Sequence, residues 1–256
     1  MVFVCGKCGN FDFEKDQGYN SLMLDNLPSP LLINKPVGPT SFGIISQLRK
    51  IIGIRKVGHA GTLDPLADGL LLILVGKHCK NQEKLQGLDK EYLAEVTFGS
   101  STTTYDREGE LVHTAEQSKL QKLSRKQVIA GLKHFTGQQK QTIPAFSAKK
   151  VHGAPLYRQA RKGTLDLKIL PVHMINIYSL KLLHFTPATN TTPPKTTLAI
   201  SCSKGTYVRS LAHDLGNYLH VYAHLSALTR TKIGPYELKN AITVAEFAEK
   251  WQIVTS

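Results

Sequence analysis

The 256-residue sequence has no apolar run long enough to span a bilayer; the longest, Leu70 to Val75, is strand length. Cysteine is scarce, four in the whole chain, which argues against a disulfide framework in a sequence large enough to bury its own core. Acidic residues are outnumbered 19 to 32 by lysine and arginine, leaving a formal charge of +13. Aromatics make up only 7% and are scattered, so no aromatic-basic ladder announces itself. The first residues are apolar, but Cys5, Asp12, Glu14 and Asp16 follow at once. That pattern fits neither a secretory signal nor an acid-poor transit peptide, and a cytoplasmic protein without a membrane partner is the expectation.

What is present is a soluble globular composition, 41% hydrophobic and 20% charged. A surface this basic suits a polyanion, nucleic acid first, although a merely solvated basic surface has the same composition. Cys5 and Cys8 in "CGKCG" have the spacing of half a zinc knuckle. No second C-x-x-C or H-x-x-x-H completes four ligands, so no metal is expected and a reduced tail is the simpler reading. Residues 1–28 lack periodicity and read as a poorly ordered N-terminal extension, with one folded domain over 29–256.

Along that domain, "LLINKP" (31–36) reads as a strand stopped by proline. "PTSFGIISQLRKIIG" reads as a helix with Thr40 or Ser41 as N-cap, Phe42, Ile45, Leu48 and Ile52 inward, and Gly53 at its end. "EYLAEVTFG" (91–99) alternates Tyr92, Ala94, Val96 and Phe98 on one face of a strand. "SRKQVIAGLKHFTG" is a helix with a Ser124–Gln127 capping box, ended by Gly137, and the last helix opens with a second box, Thr243–Glu246. A strand follows over about 169–186, and "TLAISCSKGTYVRSLAHDLGNYL" is strand, turn, then helix with Val208, Leu211, Ala212, Leu215 and Leu219 inward. Strands and helices mix without a strict βαβα rhythm, which predicts an α+β fold.

Two segments carry chemistry. In "GHAGTLDPLADGLLLILVGK" (58–77), Pro65 keeps Asp64 out of helix, while Gly58 and Gly61 allow a tight bend and close approach of a ligand. Such a rigid carboxylate can serve as nucleophile or base; equally, it can cap its own turn. Asp68 raises the paired-carboxylate chemistry of glycosidases, yet Asp68-Gly69 is also an ordinary turn dipeptide. In "CSKGTYVRSL" (202–211) a glycine turn and a helix start offer backbone N–H groups beside Lys204 and Arg209, without Walker spacing.

Taken in order, "LLINKPVGPTSF", "GHAGTLDPLADGLL", "KEYLAEVTFG", "FSAKKVHGAPLYRQARKG", "CSKGTYVRSLAHDLG" and "LTRTKIGPY" resemble the TruB-type tRNA pseudouridine synthases over most of the chain. The resemblance implies the pseudouridine-synthase fold, a central mixed, mostly antiparallel sheet flanked by helices and RNA-binding loops. It implies a cofactor-independent isomerase that breaks the N1–C1′ bond of a uridine, turns the base and rejoins it through C5, at position 55 in the tRNA T loop. Asp64 is then the catalytic aspartate, attacking C1′ or C6 or abstracting a sugar proton, with Arg209 holding it and Tyr92 as the platform for the flipped base. His59 belongs to the element that displaces the base, Tyr207 matches the active-site partner of Arg209, and Leu228 an apolar wall. Asp106 and Lys35 complete the substrate-binding set, Lys35 in a signature where a structural role fits equally. An RNA-gripping insertion around 143–163 carries Lys149, Lys150, Arg158, Arg161 and Lys162 as phosphate contacts.

The sequence also departs from the family pattern. Ile143-Pro144 stands for two prolines, Phe146 for a tyrosine and Thr103 for a common aspartate; Asp68 is unusual, and the "CGKCG" extension lies outside the pattern. The residues after Ile233 are too few for a PUA domain, so a short form without one is expected, with the positive charge compensating. The partner implied is the tRNA T-arm, with the protein a monomer and without an obligatory protein partner. Two rivals stand beside this reading. A guide-RNA-dependent synthase subunit is disfavoured by the long basic insertion, and a non-catalytic tRNA-binding or folding module by Asp64, Tyr92, Tyr207 and Arg209 occurring together.

Overall fold

The structure, a computed structural model, describes residue 27 and residues 29–151, 153–166 and 170–255. Cys5, Cys8 and all but residue 27 of the expected extension lie outside the described residues.

In chain order the first elements are β1 (Leu31–Lys35), α1 (Ser41–Ile52), β2 (Val57–His59), β3 (Ala67–Val75), α2 (Gln82–Gln86) and β4 (Lys90–Phe98). Then come β5 (Ser100–Thr102), β6 (Leu111–Thr114), α3 (Gln117–Lys122), α4 (Arg125–His134) and β7 (Gly137–Thr142). The expected insertion folds as β8 (Lys150–Val151), β9 (Ala154–Pro155) and α5 (Leu156–Arg161). The last stretch holds β10 (Val172–Thr186), β11 (Lys195–Cys202), α6 (Val208–Tyr218), β12 (Ala223–Ile233), β13 (Tyr236–Glu237) and α7 (Val244–Thr255).

One nine-stranded sheet organises the chain in the order β1-β3-β12-β4-β11-β10-β7, with β2 added to β3 and β13 to β12. Every pairing in it is antiparallel except β12 with β3, so the sheet is mixed and the fold α+β. The apolar run in β3 is continuous because both faces of that strand are covered. Leu71, Ile73 and Val75 pack under α1 and α7 with Ile44, Leu48, Phe247 and Trp251. Leu70, Leu72 and Leu74 point the other way, onto Leu85 and Ile233. A third core lies under α4 and α6, where Tyr92, Ala94, Val96 and Phe98 of β4 meet Leu198, Ile200, Leu211, Leu215 and Leu225.

Local signals fix the element ends. The Thr40 hydroxyl accepts from Gly43 N at 2.9 Å, Gly53 closes α1 at φ 77°, and the Ser124–Gln127 box is complete. Thr243 and Glu246 form the second box, Thr243 N donating to Glu246 Oε2 at 2.7 Å and Glu246 N to Thr243 Oγ1 at 3.2 Å. Two details differ from the sequence reading. Phe42 is 61% exposed and lies under the Arg49 guanidinium, because the inward stripe of α1 is Ser41, Ile44, Ile45, Leu48 and Ile52. Helix α4 stops at His134, and Gly137 opens β7 instead of ending the helix. Among the described residues no helix is long and apolar enough to cross a membrane.

Candidate active site

The segment joining β2 to β3 is pinned almost residue by residue. The Arg230 guanidinium donates to the carbonyls of Gly61 (3.1 Å) and Thr62 (3.2 Å). Buried Ser41, at the start of α1, brackets Leu63: its hydroxyl donates to Leu63 O and accepts from Leu63 N, both at 2.8 Å. Ala67 N donates to Asp64 O at 3.1 Å, and Gly38 N to Pro65 O at 2.8 Å. With its backbone fixed on both sides, Asp64 presents a carboxylate whose side chain stays 37% exposed and therefore reachable. The close approach behind it depends on Gly69 (φ 101°), where a Cβ would fall 2.4 Å from the Arg230 carbonyl oxygen.

Arg209, in the first turn of α6, supplies the counter-charge. Its Nε donates to Asp64 Oδ2 at 2.8 Å, Nη1 to Thr104 O at 2.8 Å and Nη2 to Phe146 O at 3.1 Å. Buried Asp106 stands 3.6 Å from the same Nε, and its other oxygen accepts from Thr104 Oγ1 at 2.5 Å and Glu108 N at 3.0 Å. The guanidinium thus joins two carboxylates and two loops, a charge-assisted arrangement that orients Asp64. Phe146 enters through its carbonyl, a contact indifferent to the missing phenolic hydroxyl.

A cavity of about 960 Å³ opens over this pair, lined by Asp64, Tyr92, Tyr207, Arg209, Leu228 and Arg230 among others. Tyr92 is buried on β4, and burial pushes its phenol up to about 12, so the ring is neutral at physiological pH. Leu228 on β12 supplies an apolar wall. Tyr207, just ahead of α6, is gripped by the Gln141 amide, which accepts from Tyr207 N at 2.8 Å and donates to Tyr207 O at 3.0 Å. His173 faces that tyrosine with ring centroids 6.0 Å apart, and burial lowers its pKa. Lys90 also borders the cavity, its ammonium on the carbonyls of Gln86 (2.6 Å) and Leu88; burial lowers its pKa to about 8. A planar ligand entering here meets an aromatic ring, an aliphatic wall and a carboxylate.

The remaining expected residues lie elsewhere. His59 ends β2 and borders no part of this cavity; burial, then the Arg230 charge, lowers its pKa. Lys35 is wholly buried and donates to the carbonyls of Pro36 (2.8 Å) and Pro39 (2.9 Å), so it braces the loop whose Gly38 reaches Pro65. Asp106 lies behind Arg209, outside the cavity lining. Lys149, Lys150, Arg158, Arg161 and Lys162 lie in or beside β8 and α5, with Arg158 and Arg161 each over the Tyr157 ring, at 5.9 and 5.7 Å. Among the described residues no group of His, Cys, Asp and Glu could hold a metal ion, and Cys79 and Cys202 are free thiols. Ser41, Gln141 and Arg230 were absent from the sequence-derived site, although each holds part of it.

This sheet, with its carboxylate–guanidinium pair at an aromatic-walled cavity, has the architecture of the pseudouridine synthases. In agreement, a chain in the crystal structure of a Cbf5–Nop10–Gar1 complex superposes with a TM-score of 0.66 at 25% identity, over 88% of this chain and 55% of that one, so the present chain spans about half its length. The chain belongs to the TruB family: the N-terminal domain of the TruB family pseudouridylate synthases matches residues 49–208, and the C-terminal domain of tRNA pseudouridylate synthase B matches residues 209–255. Similar relatives include tRNA pseudouridine synthase B of Symbiobacterium thermophilum, 44% identical over 84% of this chain and 69% of its own. The enzyme of that name from Opitutus terrae is 38% identical over 85% and 86%. The two family regions divide inside α6 and share one sheet, since β12, from the second, lies between β3 and β4.

Proposed function

We propose that the protein is a tRNA pseudouridine synthase that acts on the T-loop uridine (position 55) without a guide RNA or cofactor. The observation that carries this reading is the Asp64 carboxylate, held at 2.8 Å by Arg209 at a cavity walled by Tyr92 and Leu228, in a chain of this family. In the reaction the N1–C1′ bond breaks, the uracil turns, and C5 bonds to C1′. The C5 hydrogen leaves as a proton while N1 takes one up, so product and substrate are isomers and no oxidant is consumed.

Asp64 meets the sugar or the ring, and Arg209 keeps it aimed. The target base must leave its stack to reach the cavity, at a cost of a few kcal/mol. Stacking on Tyr92 offsets part of that cost, and Leu228 keeps water from the far side. Asp106 holds Arg209, Tyr207 shapes the rim beside it, Lys35 braces the loop behind Asp64, and His59 belongs to the element that displaces the base from its stack. Lys149, Lys150, Arg158, Arg161 and Lys162 contact backbone phosphates of the T-arm. The fold neighbour in the Cbf5–Nop10–Gar1 complex favours a second reading, a synthase subunit that works only in an assembly, but at 25% identity against 44% for the Symbiobacterium thermophilum relative.

The test is incubation of the purified protein alone with an unmodified tRNA transcript, followed by mapping of pseudouridine. Product at the T-loop uridine supports the stand-alone reading. Binding without product, rescued by added protein or guide RNA, supports the second; binding without product under any condition overturns both.

A further inference from the structure

Arg230 is buried on β12 at 2% exposure, and among the described residues no carboxylate lies within ion-pair distance of it. Burying an unpaired cation is expensive, and an aliphatic side chain of similar volume would serve stability as well or better. The guanidinium has instead been given three backbone oxygen acceptors. Nε donates to Leu70 O at 2.8 Å, Nη1 to Thr62 O at 3.2 Å and Nη2 to Gly61 O at 3.1 Å. Tyr92 stands opposite Arg230 across the β12–β4 strand pair. On its other side β12 sets Arg230 opposite Gly69 of β3. Gly61, at φ 105°, supplies the backbone turn that presents its carbonyl to the fork.

We propose that Arg230 is a positioning residue for catalysis: from the strand that pairs with β4 at Tyr92, its guanidinium fixes the loop carrying Asp64, and so sets the separation of carboxylate and base platform. The inference rests on the function proposed above. Arg230 acts through the Gly61 and Thr62 carbonyls. Lysine cannot replace it, because a single ammonium cannot span contacts that need a planar fork with donors on both sides.

The experiment compares wild type with Arg230→Lys in two readouts: steady-state kinetics on the T-arm RNA, and amide hydrogen exchange followed by mass spectrometry. A misplacement of about 1 Å at the reacting centre costs about 100-fold in rate. Arg230→Lys is therefore expected to lower kcat about 100-fold with KM within about threefold, the pattern of impaired transition-state alignment. Exchange should accelerate about tenfold in the segment 60–66 and stay unchanged in α1 and α4. Unchanged kcat and unchanged exchange overturn the proposal. So does a loss of kcat that follows a uniform acceleration of exchange, which marks a structural role alone. A wild-type protein that makes no pseudouridine, with exchange still accelerated only in 60–66, overturns the function and leaves Arg230 as the anchor of the loop. If Arg230→Lys fails to fold, Gly61→Ala loosens the same contact from the loop side and is read by the same criteria.

Discussion

Arg209 Nε meets Asp64 Oδ2 at 2.8 Å across 145 residues of sequence, and the same guanidinium ties together the loops that carry Thr104 and Phe146. The contact joins a turn between two strands to the start of a helix. Its geometry therefore depends on the whole sheet being in register.

Arg209→Lys keeps the charge and loses the fork. Single-turnover pseudouridine formation should fall by about 100-fold, with RNA affinity within about threefold. Arg209→Met should also lose on the order of 3 kcal/mol in urea denaturation, because buried Asp106 is left beside no cation. A lysine variant with wild-type rate contradicts the role given to the fork.

Tyr92→Phe and Tyr92→Ala separate the ring from the hydroxyl. If the ring is the platform, phenylalanine should cost less than about tenfold in turnover and alanine about 100-fold, since base–aromatic stacking is worth roughly 1–3 kcal/mol. Equal losses would transfer the role to the hydroxyl.

Asp214 on α6 gives a pH prediction for stability. Burial raises its carboxyl to about 6, above the 3.8 of the free side chain. Between those values the native state holds a proton that the unfolded chain has released, so this residue's contribution is full below 3.8 and is lost as pH rises through about 6. Asp214→Asn should therefore stabilise the protein by on the order of 2 kcal/mol at about pH 7.5 and by nothing measurable near pH 3.5. Thermal melts at the two pH values check it, and equal effects at both refute it.

The triple variant Arg158→Ala, Arg161→Ala, Lys162→Ala removes cations from α5 and the residue after it. RNA binding should weaken, and the slope of log affinity against log salt should become shallower by about 0.7–0.9 for each phosphate that is no longer neutralised. An unchanged slope would remove this surface from the RNA path.

Much of this was legible because local rules coincide with tertiary need. Thr40, Ser124 and Thr243 cap helices wherever those helices pack, and β4 alternates because one of its faces is buried. Phe42 misled because a helical stripe can be drawn through it or through Ile44, and only the position of the sheet decides between them. Arg230, Ser41 and Gln141 act on backbone groups distant in sequence, and no spacing rule announces such contacts. A faint signal existed for two of the missed cations. Arg230 follows Leu228 by two residues and Lys90 precedes Tyr92 by two, so each shares the inward phase of its strand.

Asp64 is the residue on which breaking and remaking the glycosidic bond of a flipped uridine depends in this account. Forming the C5–C1′ bond expels the C5 hydrogen, so RNA labelled with tritium at C5 of its uridines reports the reaction directly. Wild type should release tritium to solvent, and Asp64→Asn should release none while keeping the melting temperature and the RNA affinity of wild type. Tritium release by a well-folded Asp64→Asn protein would contradict the assignment.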